Sequence, residues 1–126
     1  MSGGTFDYNQ RRIREIAERV EHEIAISGKP KTERELKEES WRKDDWYERY
    51  PEDLNHYKYP DEVVAEFKKG YEILRKAEIY AQRIDWLLAG DDGEDSFLER
   101  LEEELDILNF ELSVKKFEVE DEEDED

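Results

Sequence analysis

Apolar residues fall at Ile13, Ala17, Val20 and Ile24, spaced 4, 3 and 4, which is the period of one face of an α-helix. Asp7 with Gln10 three residues on has the form of a capping box at its start. Gly28 and Pro30 mark its end. A longer pattern opens at Pro60, a residue suited to a first helical turn, with Asp61 and Glu62 near the positive end of the helix dipole. From there Val63, Phe67, Gly70, Leu74, Ala77, Ala81, Ile84 and Leu88 alternate spacings of 4 and 3 as far as Gly90. This is a heptad seam, and it predicts the most strongly patterned helix of the chain. Gly70 on that seam implies either close approach of another backbone or a bend. A second S-x-x-E box, Ser96 and Glu99, precedes Leu98, Leu101, Leu105, Leu108 and Leu112, the apolar stripe of a third helix.

Between the first two helices the pattern is poor. Thr32 and Glu35 predict a short helix, whereas Trp41 to Tyr59 keeps no period and holds six of the 15 aromatic residues. Val114 to Val119 reads as a short extended piece, and Glu118 to Asp126 has eight acids among nine residues, the composition of a disordered tail. The expected architecture is all-α: a small three-helix bundle over residues 1–117, with an irregular aromatic-rich insertion at 29–59 and an acidic tail at 118–126.

Composition narrows the function classes. A chain of 126 residues supports one modest core. Without cysteine it has no disulfides, thiolate metal ligands or cysteine nucleophile. The start MSGGTFDYNQRR lacks an apolar leader and the longest apolar run is Trp86 to Ala89, so no membrane segment is expected and a cytoplasmic location is. The net charge of −18 is unevenly spread: residues 1–60 carry 12 basic against 14 acidic side chains, residues 61–126 carry 8 against 24. Such a field repels phosphate backbones and anionic lipid and attracts basic surfaces. The expected partner is therefore a basic protein surface, with neither direct nucleic-acid nor membrane binding.

The acidic turn GDDGEDSF after Leu88 admits several readings. As an EF-hand loop with Gly93 in its sixth position, its first ligands would be Leu88, Gly90 and Asp92, which is inadequate. As a joint it is well made, because Gly90 ends a helix, Asp92-Gly93 suits a turn, and Glu94 and Asp95 favour the next helix start. In the helix that follows, Glu99 with Glu103 and Glu102 with Asp106 are like-charge pairs four apart, each costing about 0.2–0.5 kcal/mol, and Arg100 with Glu104 is the only attractive pair nearby. Retained repulsion of this kind points to a cationic partner. Asp91, Asp92, Glu94, Asp95, Glu99, Glu102, Glu103 and Asp106 are the candidate partner-binding residues.

Enzymatic chemistry is poorly supplied. RLEEELDIL resembles the acidic helix of the all-α nucleotide pyrophosphatases of the MazG type, which would assign Glu18, Glu21, Glu103 and Asp106 to Mg²⁺; against it, Glu103 lies away from the leucine face and the four would not converge. His22 and His56 are the only histidines and fall in no hydrolase motif. The expectation is a non-enzymatic protein without metal or cofactor. Two further clusters have a structural and a binding reading. Trp41, Trp46, Tyr47 and Tyr50, interleaved with Arg42, Lys43, Arg49 and Lys58, either cover an under-buried bundle or form an interface. Arg11, Arg12 and Arg14 beside Phe6 and Tyr8 are the other place for an anionic small ligand. The oligomeric state is left open.

MSGGTFDYNQ followed by IREIAERVE, together with AEIYAQRIDWLLAGDDGEDSFLERLEEEL, resembles a group of small uncharacterised phage and prophage proteins that begin MSGG-x-FDY-x-Q and carry a QRIDWLL-x-GDDGE-x-SF segment. The likeness covers the first helix and residues 78–105. Thr5 stands where that group has His, which removes any imidazole role there. The resemblance implies provenance, and by analogy an acidic inhibitor of a host defence or nucleic-acid-binding protein that imitates the charge of DNA. The alternative of a different class is a sponge that sequesters a nucleotide-derived immune signal.

Overall fold

The computed structural model describes residues 5–42 and 45–118. It is all-α: α1 (Gln10–Ile26), α2 (Glu33–Glu38), α3 (Trp46–Arg49), α4 (Asp61–Leu88) and α5 (Glu94–Val114), with a 3-10 turn at Pro51–Leu54 between α3 and α4. None of the described helices is long and apolar enough to cross a membrane.

α4 is the axis of the molecule; at 1.5 Å per residue its 28 residues span about 42 Å. α1 runs antiparallel along it. Gln10 donates through Nε2 to Gln82 Oε1 at 2.7 Å, Arg14 pairs with Glu78 at 3.4 Å, and Ser27, just past α1, accepts the N–H of Tyr59 at 2.9 Å. α5 packs antiparallel on another flank, where Arg83 faces Glu104 at 3.6 Å and Arg75 faces Glu111 at 3.2 Å.

No position of the α4 heptad seam is fully buried, contrary to what its spacing implies. The buried apolar residues among those described are Ala17, Ile24, Ala25, Tyr71 and Leu108, and α4 contributes only Tyr71 to that set. Leu88 is 60% exposed, Ile73 and Tyr80 elsewhere on α4 are exposed too, and the other seam positions are mostly covered without being fully buried. α1 and α5 occupy the face of α4 that carries Tyr71, Arg75, Gln82 and Asp85. Ile84 lies nine positions from Arg75, two and a half helical turns, and so on the opposite side. Nor does Gly70 admit a close neighbour. A Cβ built there meets nothing within 4 Å, and the helix continues through it.

Two predicted caps also differ. The first helix begins after Asn9, without a side-chain cap, while Asp7 and Tyr8 take φ values of 56° and 61° in the left-handed region. The amide of Gln10 that the box would have used is drawn instead to α4. α5 begins after Gly93, so Ser96 lies inside its first turn and the S-x-x-E box is not formed. The joint before it is tight: the N–H groups of Asp91 and Asp92 both donate to the carbonyl of Trp86, at 2.9 and 3.2 Å. Gly90 supplies the left-handed residue there, with φ of 87°.

Segment 29–59 is more ordered than its pattern suggests. Thr32 accepts the N–H of Glu35 and Glu35 accepts that of Thr32, a complete capping box at the predicted short helix. A neck of backbone bonds ties the segment to the end of α1: Gly28 N–H to Tyr57 O, His56 N–H to Lys29 O and Lys31 N–H to Leu54 O. Tyr57, Tyr59 and Phe67 then meet edge to face at centroid distances of 5.0 Å and carry the chain into α4. Past α5, residues 115–118 are non-helical, and the expected tail from residue 119 onward lies outside the described residues.

Candidate functional site

The acidic turn and α5 separate into two populations. Asp92 is buried, its side chain 3% exposed, and its two oxygens meet Arg83 at 3.3 Å and Arg100 at 3.4 Å. Arg83 is itself buried, stacked 4.4 Å over the ring of Trp86 and 3.6 Å from Glu104. Asp92 therefore turns inward and is set apart from the outward acids with which its sequence position grouped it. The expected Arg100–Glu104 pair is likewise replaced, because each residue reaches across to the α4 side of the joint.

Glu94, Asp95, Glu99, Glu102, Glu103 and Asp106 are all exposed, and none has a cation within ion-pair distance among the described residues. Asp91 is exposed too but already engaged. Beyond Asp106, α5 exposes Ile107, Phe110 and Val114 at spacings of 3 and 4. These three residues lie outside the leucine stripe read from the sequence, although they too are helically spaced.

The other candidates disperse. Arg11 and Arg12 are exposed over a shallow depression with Asp7, Tyr8 and Glu15, while Arg14 pairs with Glu18 at 3.3 Å and with Glu78 on α4. The three arginines do not share one pocket. In the aromatic segment the guanidinium of Arg42 lies 5.1, 4.8 and 5.8 Å from the rings of Trp41, Trp46 and Tyr47. It also pairs with Asp53 at 3.2 Å and Glu39 at 3.5 Å. Trp46 Nε1 donates to Asp53 at 2.7 Å, the Tyr47 hydroxyl donates to Glu39, and Tyr50 packs on Trp46 at 4.8 Å. These rings thus hold an arginine of the chain's own, with Trp41 left 73% exposed at the edge.

Between this segment and the neck is an open cleft of about 940 Å³, bordered by Lys31, Glu35, Glu39, Asp53 and His56. Four of its ionisable groups pair with one another: Lys31 to Glu39 at 2.9 Å and His56 to Glu35 at 3.1 Å. Partial burial would raise the Glu35 carboxyl, but the Thr32 N–H bond and His56 outweigh it and hold it below its ordinary range. Glu39 is also held low, first by the Tyr47 hydroxyl and then by Lys31, and the same bond raises the Tyr47 phenol. Of the four carboxylates in the pyrophosphatase reading, Glu18 is taken by Arg14 and Glu21 by Lys115, while Glu103 and Asp106 face outward. Among the described residues no group of three or more His, Asp or Glu side chains is placed to hold a metal ion.

No family model matches this chain, and no curated protein or solved structure matches it.

The segments FDYNQ and QRIDWLLAGDD meet in space. Phe6 and Gln10 from the first bond Gln82 and Asp85 from the second, and Arg83 and Asp92 within the second bond each other. Those polar residues join α1 to α4 and seat the turn before α5, so the strings have a structural reason to exist apart from any target.

Proposed function

We propose that this chain is a non-enzymatic, phage-type interaction protein that occupies a basic site on a host defence or nucleic-acid-binding protein, imitating the charge of DNA. The three long helices, which we take as a bundle, present the outer face of α5. The observation that carries the reading is the run of six exposed carboxylates from Glu94 to Asp106, sited on a helix and without a cation partner among the described residues. Holding like charges three and four residues apart on a helix costs stability that a partner's lysines and arginines recover on binding. The buried Asp92 supports the same surface indirectly, since its bond to Arg100 fixes the start of the helix that displays it.

The test is capture from host lysate at low salt with elution along a salt gradient, comparing the wild type with a variant carrying Glu99→Gln, Glu102→Gln, Glu103→Gln and Asp106→Asn. A specific partner should elute early from the variant and late from the wild type, with the dependence on ionic strength flattened. Equal retention of the same partner by both proteins, or retention unchanged between low and high salt, overturns the reading.

A further inference from the structure

We propose that the cleft between α1 and α5, above Tyr71 and Arg75 of α4, is a binding site for a phosphate monoester. This site is independent of the acidic face of α5. α1 and α5 both pack on α4 but leave a gap over it, and the resulting cavity of about 420 Å³ is bordered by Arg14, Glu21, Tyr71, Arg75, Glu111, Lys115 and Lys116 among others. Four cationic side chains border one cavity in a protein whose net charge is −18, with Glu21 and Glu111 inside it and Glu18 and Glu78 pairing with Arg14 at its edge. Lys116 is the cation without a carboxylate partner among the described residues, and with the spare donor of Arg75 it is suited to an added anion. A phosphate monoester carries about −1.5 to −2 at neutral pH.

The hydrogen-bonding state of the cavity agrees with this. Arg75 is the deepest cation, its side chain 13% exposed, with Nη1 donating to the Tyr71 hydroxyl at 2.8 Å and Nη2 to Glu111 at 3.2 Å. Its Nε is buried and has no acceptor. A buried guanidinium donor left over in this way is the group that a tetrahedral anion's oxygens satisfy, since planar forks and phosphate oxygens match in geometry. Lys115 spans from Glu21 toward the rings of Tyr71 and Phe117, its Nζ 5.5 and 5.4 Å from their centroids. Lys116 is exposed and has no carboxylate partner among the described residues. Glu111, half exposed, is a counter-ion of the kind that contributes little and is readily displaced.

Size argues for an ester over the bare ion. The cavity falls within the 300–1,000 Å³ or so of small-molecule sites, well beyond what a phosphate fills. Leu112 and Val114 add apolar wall beside the cations, where an organic group would lie.

The experiment is calorimetric titration of the full chain with phenyl phosphate, with inorganic phosphate and phenyl sulfate as comparators. Phenyl phosphate should bind, more tightly than either comparator. Lys116→Glu should weaken it by about tenfold or more, the effect of losing one charge-assisted contact, while leaving the thermal midpoint unchanged. Arg75→Met should abolish binding; because that residue bonds Tyr71 and Glu111 within the fold, the exposed Lys116 variant decides the matter if Arg75→Met fails to fold. No binding of phenyl phosphate at millimolar concentration, equal binding of phenyl sulfate, or binding that Lys116→Glu does not change overturns the proposal. None of these outcomes touches partner capture through α5.

Discussion

The carboxylate of Asp85, fully buried on α4, accepts the main-chain N–H of Phe6 at 2.9 Å across 79 residues of chain. Its other oxygen takes the Gln10 amide at 3.2 Å. The segment before α1 is thereby fastened to the far end of α4, and Asp7 and Tyr8 take up left-handed backbone conformations to allow it.

Asp85→Ala should consequently destabilise the fold by about 2–4 kcal/mol, since it strands a backbone donor and a side-chain amide as well as removing their acceptor. Urea denaturation measures it. A loss under about 1 kcal/mol would mean the contact is dispensable.

Gly70 sits mid-helix with open space where a side chain would be. Gly70→Ala should stabilise the protein by about 0.5–1 kcal/mol through helix propensity alone. A lower thermal midpoint would show that something does pack against that position.

Acids of similar sequence context should behave oppositely. Asp92→Asn leaves Arg83 buried beside Trp86 with a weakened partner and should cost about 3 kcal/mol. Glu103→Gln relieves repulsion from Glu99 and should move stability by no more than about 0.5 kcal/mol, upward if at all. Paired chemical denaturation curves separate the two.

Acidification should loosen the aromatic segment first. The Glu35 and Glu39 carboxyls both lie below their ordinary value of 4.5 in the folded state. Their contribution is fully present above pH 4.5 and disappears as pH falls below it through the folded values. In a Trp86→Phe background, the fluorescence of Trp41 and Trp46 should change in that window before helical circular dichroism does. Tyr47→Phe, which removes the largest cause of the Glu39 shift, should move the onset to higher pH. Coincident transitions in both signals would contradict the expectation.

Local information was enough for four of the five helices; α3 (Trp46–Arg49) and the 3-10 turn after it lie where the sequence keeps no period. Periods of 3 and 4 located α1, α4 and α5, Thr32 with Glu35 located α2, and Gly90 located the end of α4, because each depends on residues within a turn or two of one another. What the sequence by itself determined, then, was that the chain is helical, where its long helices run, and that its second half is acidic. Tertiary structure alone decided which face of α4 is covered, so that Tyr71 is buried while Leu88 is not. It also decided that Asp85 and Asp92 point inward while Glu103 and Asp106 do not. The reason is physical: a heptad seam states that a face is apolar without stating what will cover it. The burial of a carboxylate likewise depends on donors brought from elsewhere, here Phe6, Gln10 and Arg83, whose arrival no local pattern encodes.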